Sequence, residues 1–138
     1  EEGIDGMEVE CAVLGNEEPK ASTVGEVVPC NDFYDYEAKY IANDSELHIP
    51  ARLPEETIEA VRSAACRVFT AMGCSGLARV DFFVRKKDGA VLLNEPNTIP
   101  GFTPISMYPK LWDKSGLPYG KLLDRLIRLA LEKWEPNG

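Results

Sequence analysis

Gly76-Leu-Ala-Arg-Val-Asp-Phe-Phe-Val84 and its return, Val91-Leu-Leu-Asn-Glu-Pro-Asn-Thr-Ile-Pro-Gly101, decide how the rest of the chain is read. The first segment alternates as a strand does, so Arg79, Asp81 and Phe83 share one face while Ala78, Val80, Phe82 and Val84 take the other. The return segment puts Val91, Leu93, Glu95 and Asn97 on a common face, and Lys86-Lys-Asp-Gly89 between them is a turn signal that predicts an antiparallel hairpin. A three-residue loop, Lys87-Asp88-Gly89 with Gly89 left-handed, places Asp81 directly opposite Glu95. A two-residue Asp-Gly turn puts them on opposite faces, because a one-residue slip turns every side chain over.

Carboxylates opposed within apolar strands repel each other unless a cation lies between them, and Mg2+ is the usual hard cation for an oxygen set such as Asp81, Glu95 and Asn97. The alternative is that both carboxylates are solvated on the open face of a half-exposed sheet, with Arg79 as a salt-bridge partner. Asn97-Thr-Ile-Pro-Gly-Phe-Thr-Pro104 favours the first reading, since it is a Pro- and Gly-rich turn straight after the second carboxylate, where backbone N–H groups can face an anion.

A chain of 138 residues with 44% hydrophobic content is one domain's worth and long enough for a core. Its formal charge of -8, with no basic cluster beyond Arg85-Lys-Lys87, argues against nucleic acid or an anionic membrane as the main partner. Cys11, Cys30, Cys66 and Cys74 have no C-x-x-C spacing and His48 is the single histidine, so a zinc set is excluded and the cysteines read as reduced thiols of a cytoplasmic protein. No apolar run approaches the length of a membrane span, and no signal sequence opens the chain. It begins at Glu1-Glu2 without a methionine, which reads as a piece of a longer protein or a processed chain.

In chain order, Met7 to Leu14 reads as a strand ended by Gly15-Asn16, and Glu26 to Pro29 as a short second strand that lies at an edge or stops at Pro29. Phe33-Tyr-Asp-Tyr-Glu-Ala-Lys-Tyr40 fits a loop or short helical turn, either a functional lid or an aromatic loop packed over the sheet edge. Ser45 to Pro50 is another short strand, with His48 a surface or packing residue. Pro54 opens the clearest helix, with Ile58, Val61, Ala65, Val68, Phe69 and Met72 at helical spacing, Gly73 as its stop, and Glu55, Glu56 and Glu59 near its N-terminus. Ile105 to Lys114 reads as a short helix ended by Gly116. Pro118 opens another, with Tyr119, Leu122, Leu123, Leu126, Ile127, Ala130 and Trp134 on its apolar face. The order predicts an α+β fold: a mostly antiparallel sheet with helices packed on one face, leaving the face of Arg79, Asp81 and Glu95 open.

Taken together, Tyr34-Asp-Tyr-Glu-Ala-Lys-Tyr40, Gly73-Cys-Ser-Gly-Leu-Ala-Arg-Val-Asp81 and Asn94-Glu-Pro-Asn-Thr-Ile-Pro-Gly-Phe-Thr103 resemble, in order and over nearly the whole chain, the C-terminal part of D-alanine:D-alanine ligases of the ATP-grasp superfamily. The resemblance implies that residues 1–138 form the C-terminal ATP-grasp catalytic domain, without the N-terminal regions that hold the first D-alanine, the phosphate-binding lysines and the other wall of the ATP cleft. It implies ATP and Mg2+, with Mn2+ as an alternative, and transfer of the γ-phosphate to one D-alanine, whose acyl phosphate a second D-alanine attacks to give a peptidoglycan precursor. Asp81, Glu95 and Asn97 match the metal ligands; Arg79 and the N–H of Gly101 match the oxyanion donors; Ser106 and the N–H of Met107 match the anchor for the second substrate's carboxylate. Lys39 and Tyr40 match the loop that closes over the phosphates, and Glu1, Ile4 and Glu8 the surroundings of adenine and ribose, with Glu8 as ribose acceptor. The resemblance further implies that the missing N-terminal domain is a partner, that full-length members are homodimers, and that the chain alone folds without catalysing. Other readings are a D-serine- or D-lactate-joining ligase of the same family, a nucleotide-binding domain without turnover, and another ATP-grasp ligase. The Tyr36 to Tyr40 segment favours an amine nucleophile over lactate. Pro96, between Glu95 and Asn97, removes one N–H but leaves both side chains in place.

Overall fold

Strands and helices succeed one another as β1 (Gly6–Gly15), β2 (Lys20–Val28), β3 (Glu46–His48), α1 (Glu55–Ala71), β4 (Gly76–Arg85), β5 (Val91–Asn97), α2 (Met107–Lys114) and α3 (Tyr119–Trp134). The computed structural model describes residues 5–29 and 46–134. Glu1, Ile4, Cys30 and the Phe33 to Tyr40 segment, with Lys39 and Tyr40, lie outside the described residues. The strands form one sheet in the order β3-β2-β1-β4-β5, with every pairing antiparallel.

β1 occupies the centre because Cys11-Ala-Val-Leu14 is apolar at every position, so both of its faces must be covered. Val9, Cys11, Val13, Val24, Ala78, Val80 and Phe82 pack against Ile58, Val61, Ala65 and Phe69 of α1, all of them buried. Fully burying an apolar side chain of this size is worth roughly 1.5–3 kcal/mol, so this layer is the main source of stability. On the opposite face Ala12, Leu14 and Leu77 meet Tyr108, Leu111 and Trp112 of α2 and Leu122 of α3. The Tyr108 hydroxyl donates to the Val13 carbonyl at 2.8 Å, which ties α2 to the central strand.

The α+β class and the antiparallel sheet are as expected, but helices lie on both faces instead of one. α1 covers one side, while α2 and α3 cover the Gly15 and Gly76 end of the other. Only the half of the second face that carries Glu8, Glu10, Asp81 and Glu95 stays uncovered by the two later helices. The apolar face assigned to α3 is also narrower than its pattern: Leu122 is buried, Leu126 and Leu129 pack beside it, and Leu123, Ile127 and Trp134 are exposed. Met72, counted with the apolar face of α1, is exposed too.

β2 is longer than the Glu26 to Pro29 strand expected, because a register shift around Ser22 and Thr23 hides its alternation. There the Ser22 hydroxyl, not a backbone carbonyl, accepts the Ala12 N–H at 3.0 Å. The strand does stop before Pro29. Cys11, Cys66 and Cys74 are free thiols. His48 sits in the edge strand β3, its Nε2 3.4 Å from Glu46 Oε2. Among the described residues no helix is long and apolar enough to cross a membrane.

Candidate functional site

The hairpin turn is not the three-residue loop. Arg85 N donates to Ala90 O at 2.9 Å and Gly89 N to Arg85 O at 2.7 Å, so residues 86–89 form a four-residue loop with Gly89 at φ 72°. That loop has the parity of the two-residue turn. Continued without interruption, it pairs Asp81 with Asn94 and turns Glu95 toward α1. A bulge restores the alignment: Phe82 pairs with Leu93 but Asp81 pairs with Glu95, leaving Asn94 as the extra residue. Val91 and Leu93 therefore lie on the face of Val84 and Phe82, opposite to Glu95 and Asn97, and not on a common face with them. Pro96 is tolerated because β5 is an edge strand.

Three cross-strand rows result on the face opposite α1, with Ala12 and Gly25 under α2 and the rest beyond it. Glu10, Asp81 and Glu95 form the middle row across β1, β4 and β5, with Gly25 of β2 beyond Glu10. Ala12, Arg79 and Asn97 form the next row toward α2. On the other side lie Val27, Glu8, Phe83 and Leu92. Successive rows stand roughly 6.5–7 Å apart, two residues along each strand, which is within the span of a nucleotide's base, sugar and phosphates. Half-buried Val27, Phe83 and Leu92 make an apolar floor beside the exposed Glu8 carboxylate. A planar apolar group with a polar edge fits such a surface.

Charge is concentrated in the middle row. Arg79 grips Asp81 with two hydrogen bonds, Nε to Oδ1 and Nη2 to Oδ2, both 2.9 Å. Asn97 Nδ2 donates to the same Oδ2 at 3.0 Å, and Arg79 Nε also lies 3.2 Å from Glu10 Oε1. Asp81 is only 8% exposed, whereas Glu95 is exposed. Hydrogen bonding to Asp81 holds the Arg79 guanidinium above its usual range. Burial pushes the Glu10 carboxyl up to about 7, with the Asp81 charge adding to the effect and Arg79 opposing it.

A hard divalent cation suits this set. Three carboxylates stand in one row with a single guanidinium among them, and the exposed Glu95 faces Asp81 with Asn97 beside it. Among the described residues no three His, Cys, Asp or Glu side chains converge as a closed metal cage. Two carboxylates and an amide instead match the open oxygen set typical of Mg2+, whose remaining positions go to phosphate oxygens and water.

Beyond β5 the chain turns back toward α2. A β-carbon at Gly101 would stand 3.2 Å from Ser106 Oγ, so these two predicted site residues are neighbours. Ser106 N-caps α2, yet its hydroxyl bonds no helix N–H; it accepts from Thr103 N at 3.1 Å and pairs with Thr103 Oγ1 at 2.7 Å. Met107 is the first residue of the helix, where backbone N–H groups are left without intrahelical partners and favour an anion. Phe102 anchors the turn by packing on Tyr108 and Tyr119, whose hydroxyl donates to the Phe102 carbonyl at 2.9 Å. Arg79, Asp81, Glu95 and Asn97 thus form one cluster, Gly101, Ser106 and Met107 a second, and Glu8 flanks the first. Glu10 was missed in the sequence, although its alternation with Glu8 puts both on one face; only the β1–β4 pairing brings it to Asp81.

Comparison with known proteins identifies the family. The family described as D-ala D-ala ligase C-terminus matches residues 1–128. The D-alanine–D-alanine ligase of Acetivibrio thermocellus is 61% identical over 137 residues, covering 99% of this chain and 36% of its own length. Among solved structures, the VanG D-Ala:D-Ser ligase from Enterococcus faecalis superposes with a TM-score of 0.82 at 42% identity, over 93% of this chain and 37% of that one. The D-alanine–D-alanine ligase from Bacillus anthracis complexed with ATP gives 0.79 at 34% identity, over 100% of this chain and 44% of that one. The chain therefore spans less than half the length of these relatives. With its sequence matched nearly end to end and its sheet superposed on theirs, the chain belongs to the D-ala D-ala ligase C-terminus family.

Proposed function

We propose that this chain carries the metal and oxyanion half of an ATP-dependent ligase that joins two D-alanines through a D-alanyl phosphate for peptidoglycan precursor synthesis. The observation that carries this reading is the direct opposition of Asp81 and Glu95, recovered by the bulge at Asn94. Asp81, Glu95 and Asn97 would hold Mg2+, or Mn2+ in its place. When bound, the ion neutralises charge on the ATP phosphates during transfer. Glu8 accepts from the ribose hydroxyls, and Val27, Phe83 and Leu92 carry the base. Arg79 and the Gly101 N–H donate to the oxyanion that develops when the second amine attacks. Ser106 and the Met107 N–H hold the second D-alanine's carboxylate at the N-terminus of α2. Glu1 and Ile4 at the nucleotide, and Lys39 and Tyr40 over the phosphates, complete the assignment from the resemblance, with Lys39 and Tyr40 excluding water from the acyl phosphate.

The N-terminal part of such a ligase supplies the first D-alanine site and the other wall of the cleft, so the chain alone folds without turnover. The whole enzyme acts as a cytoplasmic homodimer. A D-serine-joining activity is the second reading, supported by the likeness to the D-Ser ligase. Exchange of this chain for the matching segment of the Acetivibrio thermocellus ligase, followed by scoring of dipeptides formed from ATP with D-alanine or D-serine, is the test. D-alanyl-D-alanine from the chimera is the expected product. A folded chimera that makes no dipeptide refutes the proposal, as does D-alanine-dependent phosphate release by the 138-residue chain itself.

A further inference from the structure

We propose that Glu10 is a positioning residue for Arg79, keeping its guanidinium over the sheet when Asp81 turns to a cation; this rests on the reading of Asp81 as a metal ligand. Arg79 Nε is shared, 2.9 Å from Asp81 Oδ1 and 3.2 Å from Glu10 Oε1, while Nη2 takes the other Asp81 oxygen at 2.9 Å. A cation drawn to Asp81 competes for oxygens that Arg79 already holds, and like charge then pushes the guanidinium away. Another anchor is needed, because the Arg79 side chain is only 22% exposed and a charge so far out of water is costly without a partner.

β1 offers that anchor at one position. Directly across from Arg79 stands Ala12, which has no polar side-chain atom. Glu10, one row away, faces Asp81 and lies outside the Asp81, Glu95 and Asn97 set. Its side chain is 19% exposed, so its contact with Arg79 is sheltered from solvent screening. Glu8 and Glu95 are the other carboxylates whose charges reach this pair, acting on Glu10 and on Arg79 respectively. Binding of a cation is thus met by an exchange of partners: Asp81 goes to the metal and Arg79 to Glu10. Arg79 stays charged and stays on the face where the oxyanion is to form.

The Arg79 Nε–H resonance of the 138-residue chain reports this directly. Its solvent exchange is measured by NMR in the wild type, Glu10→Gln, Asp81→Asn and the double variant, with and without Mg2+. Asp81→Asn is expected to keep a protected Nε–H, and the double variant to exchange at least about tenfold faster, as on loss of one charge-assisted hydrogen bond. Mg2+ is expected to shift the Asp81 and Glu95 amides of the wild type with Nε–H still protected, and to speed its exchange by a similar factor in Glu10→Gln. Equal exchange in Asp81→Asn and the double variant overturns the proposal. So does an Nε–H that Mg2+ leaves as protected in Glu10→Gln as in the wild type. If Mg2+ shifts neither amide in the wild type, the metal reading fails by itself, and the comparison without Mg2+ still decides the contact. Glu10→Gln preserves volume, and Asp81→Asn alone, showing a freely exchanging Nε–H in an otherwise native spectrum, overturns the anchor even if the double variant does not fold.

Discussion

Replacing Glu10 by Gln should change how the stability of this chain depends on pH between about 5 and 8, and in a direction opposite to ordinary acid denaturation. Burial and the neighbouring Asp81 move the Glu10 carboxyl from 4.5 to about 7 in the folded protein. The folded state therefore binds more protons than the unfolded chain throughout that interval, and the slope of stability against pH is negative there. The stabilisation is fully present below 4.5 and is lost as pH rises through about 7. At about 1.4 kcal/mol per pH unit of displacement, the loss reaches about 3 kcal/mol when complete. Urea denaturation at pH 5 and pH 8, with a chelator to exclude divalent ions, measures it. Wild type should be more stable at the lower pH by an amount approaching that figure, and Glu10→Gln should lose most of the difference. A Glu10→Gln chain with the same pH dependence as wild type would refute the attribution to Glu10. The interval avoids the groups that titrate elsewhere: Glu26 is held below its ordinary value, whereas burial pushes Cys11 to about 12.

Two further expectations concern the scaffold. Gly25 lies under α2, where an added β-carbon would stand 2.9 Å from Leu111 Cδ2, 3.2 Å from Met107 Cε and 3.3 Å from Ile49 Cγ1, all side-chain atoms that can shift; Gly25→Ala should cost about 1 kcal/mol in urea denaturation, and an unchanged midpoint would contradict the close approach. Glu26, 2% exposed, accepts from Arg52 through Nε at 3.1 Å and Nη2 at 2.8 Å, and these bonds hold its carboxyl below the usual range. Its stabilisation is present above 4.5 and is lost as pH falls through the folded value; because Arg52 is largely exposed and its charge is screened, Glu26→Gln should cost only about 1 kcal/mol at neutral pH and lessen the acid-side loss seen in denaturation below pH 4.5.

The fold was legible in the sequence where periodicity is local. Strict alternation from Gly76 to Val84 and the spacing of Ile58, Val61, Ala65 and Phe69 each name an element and its buried face. It was not legible where two local signals cancel. The loop at residues 86–89 has the wrong parity for an Asp81–Glu95 pair, and the bulge at Asn94 corrects it; neither is visible without the other. β2 was shortened because a hydroxyl replaces a carbonyl in its ladder, a substitution that Ser22 does not announce. The second helical layer could have been read from Cys11-Ala-Val-Leu14, which is apolar on both faces. Glu10 was out of reach because β1 and β4 are neighbours only after α1 has crossed back, and no local pattern encodes that pairing. Arg79, Asp81, Glu95 and Asn97 could be found because they sit two apart on adjacent strands.

Calorimetry of ATP binding to this chain, with and without Mg2+ and beside Asp81→Asn, tests the central claim that the open sheet face is a metal and nucleotide half-site. Binding that requires Mg2+ and weakens at least about tenfold in the variant is the predicted result, since one of the ion's few protein ligands is then uncharged. Absence of Mg2+-dependent binding in the wild type, or equal binding by both proteins, would contradict it.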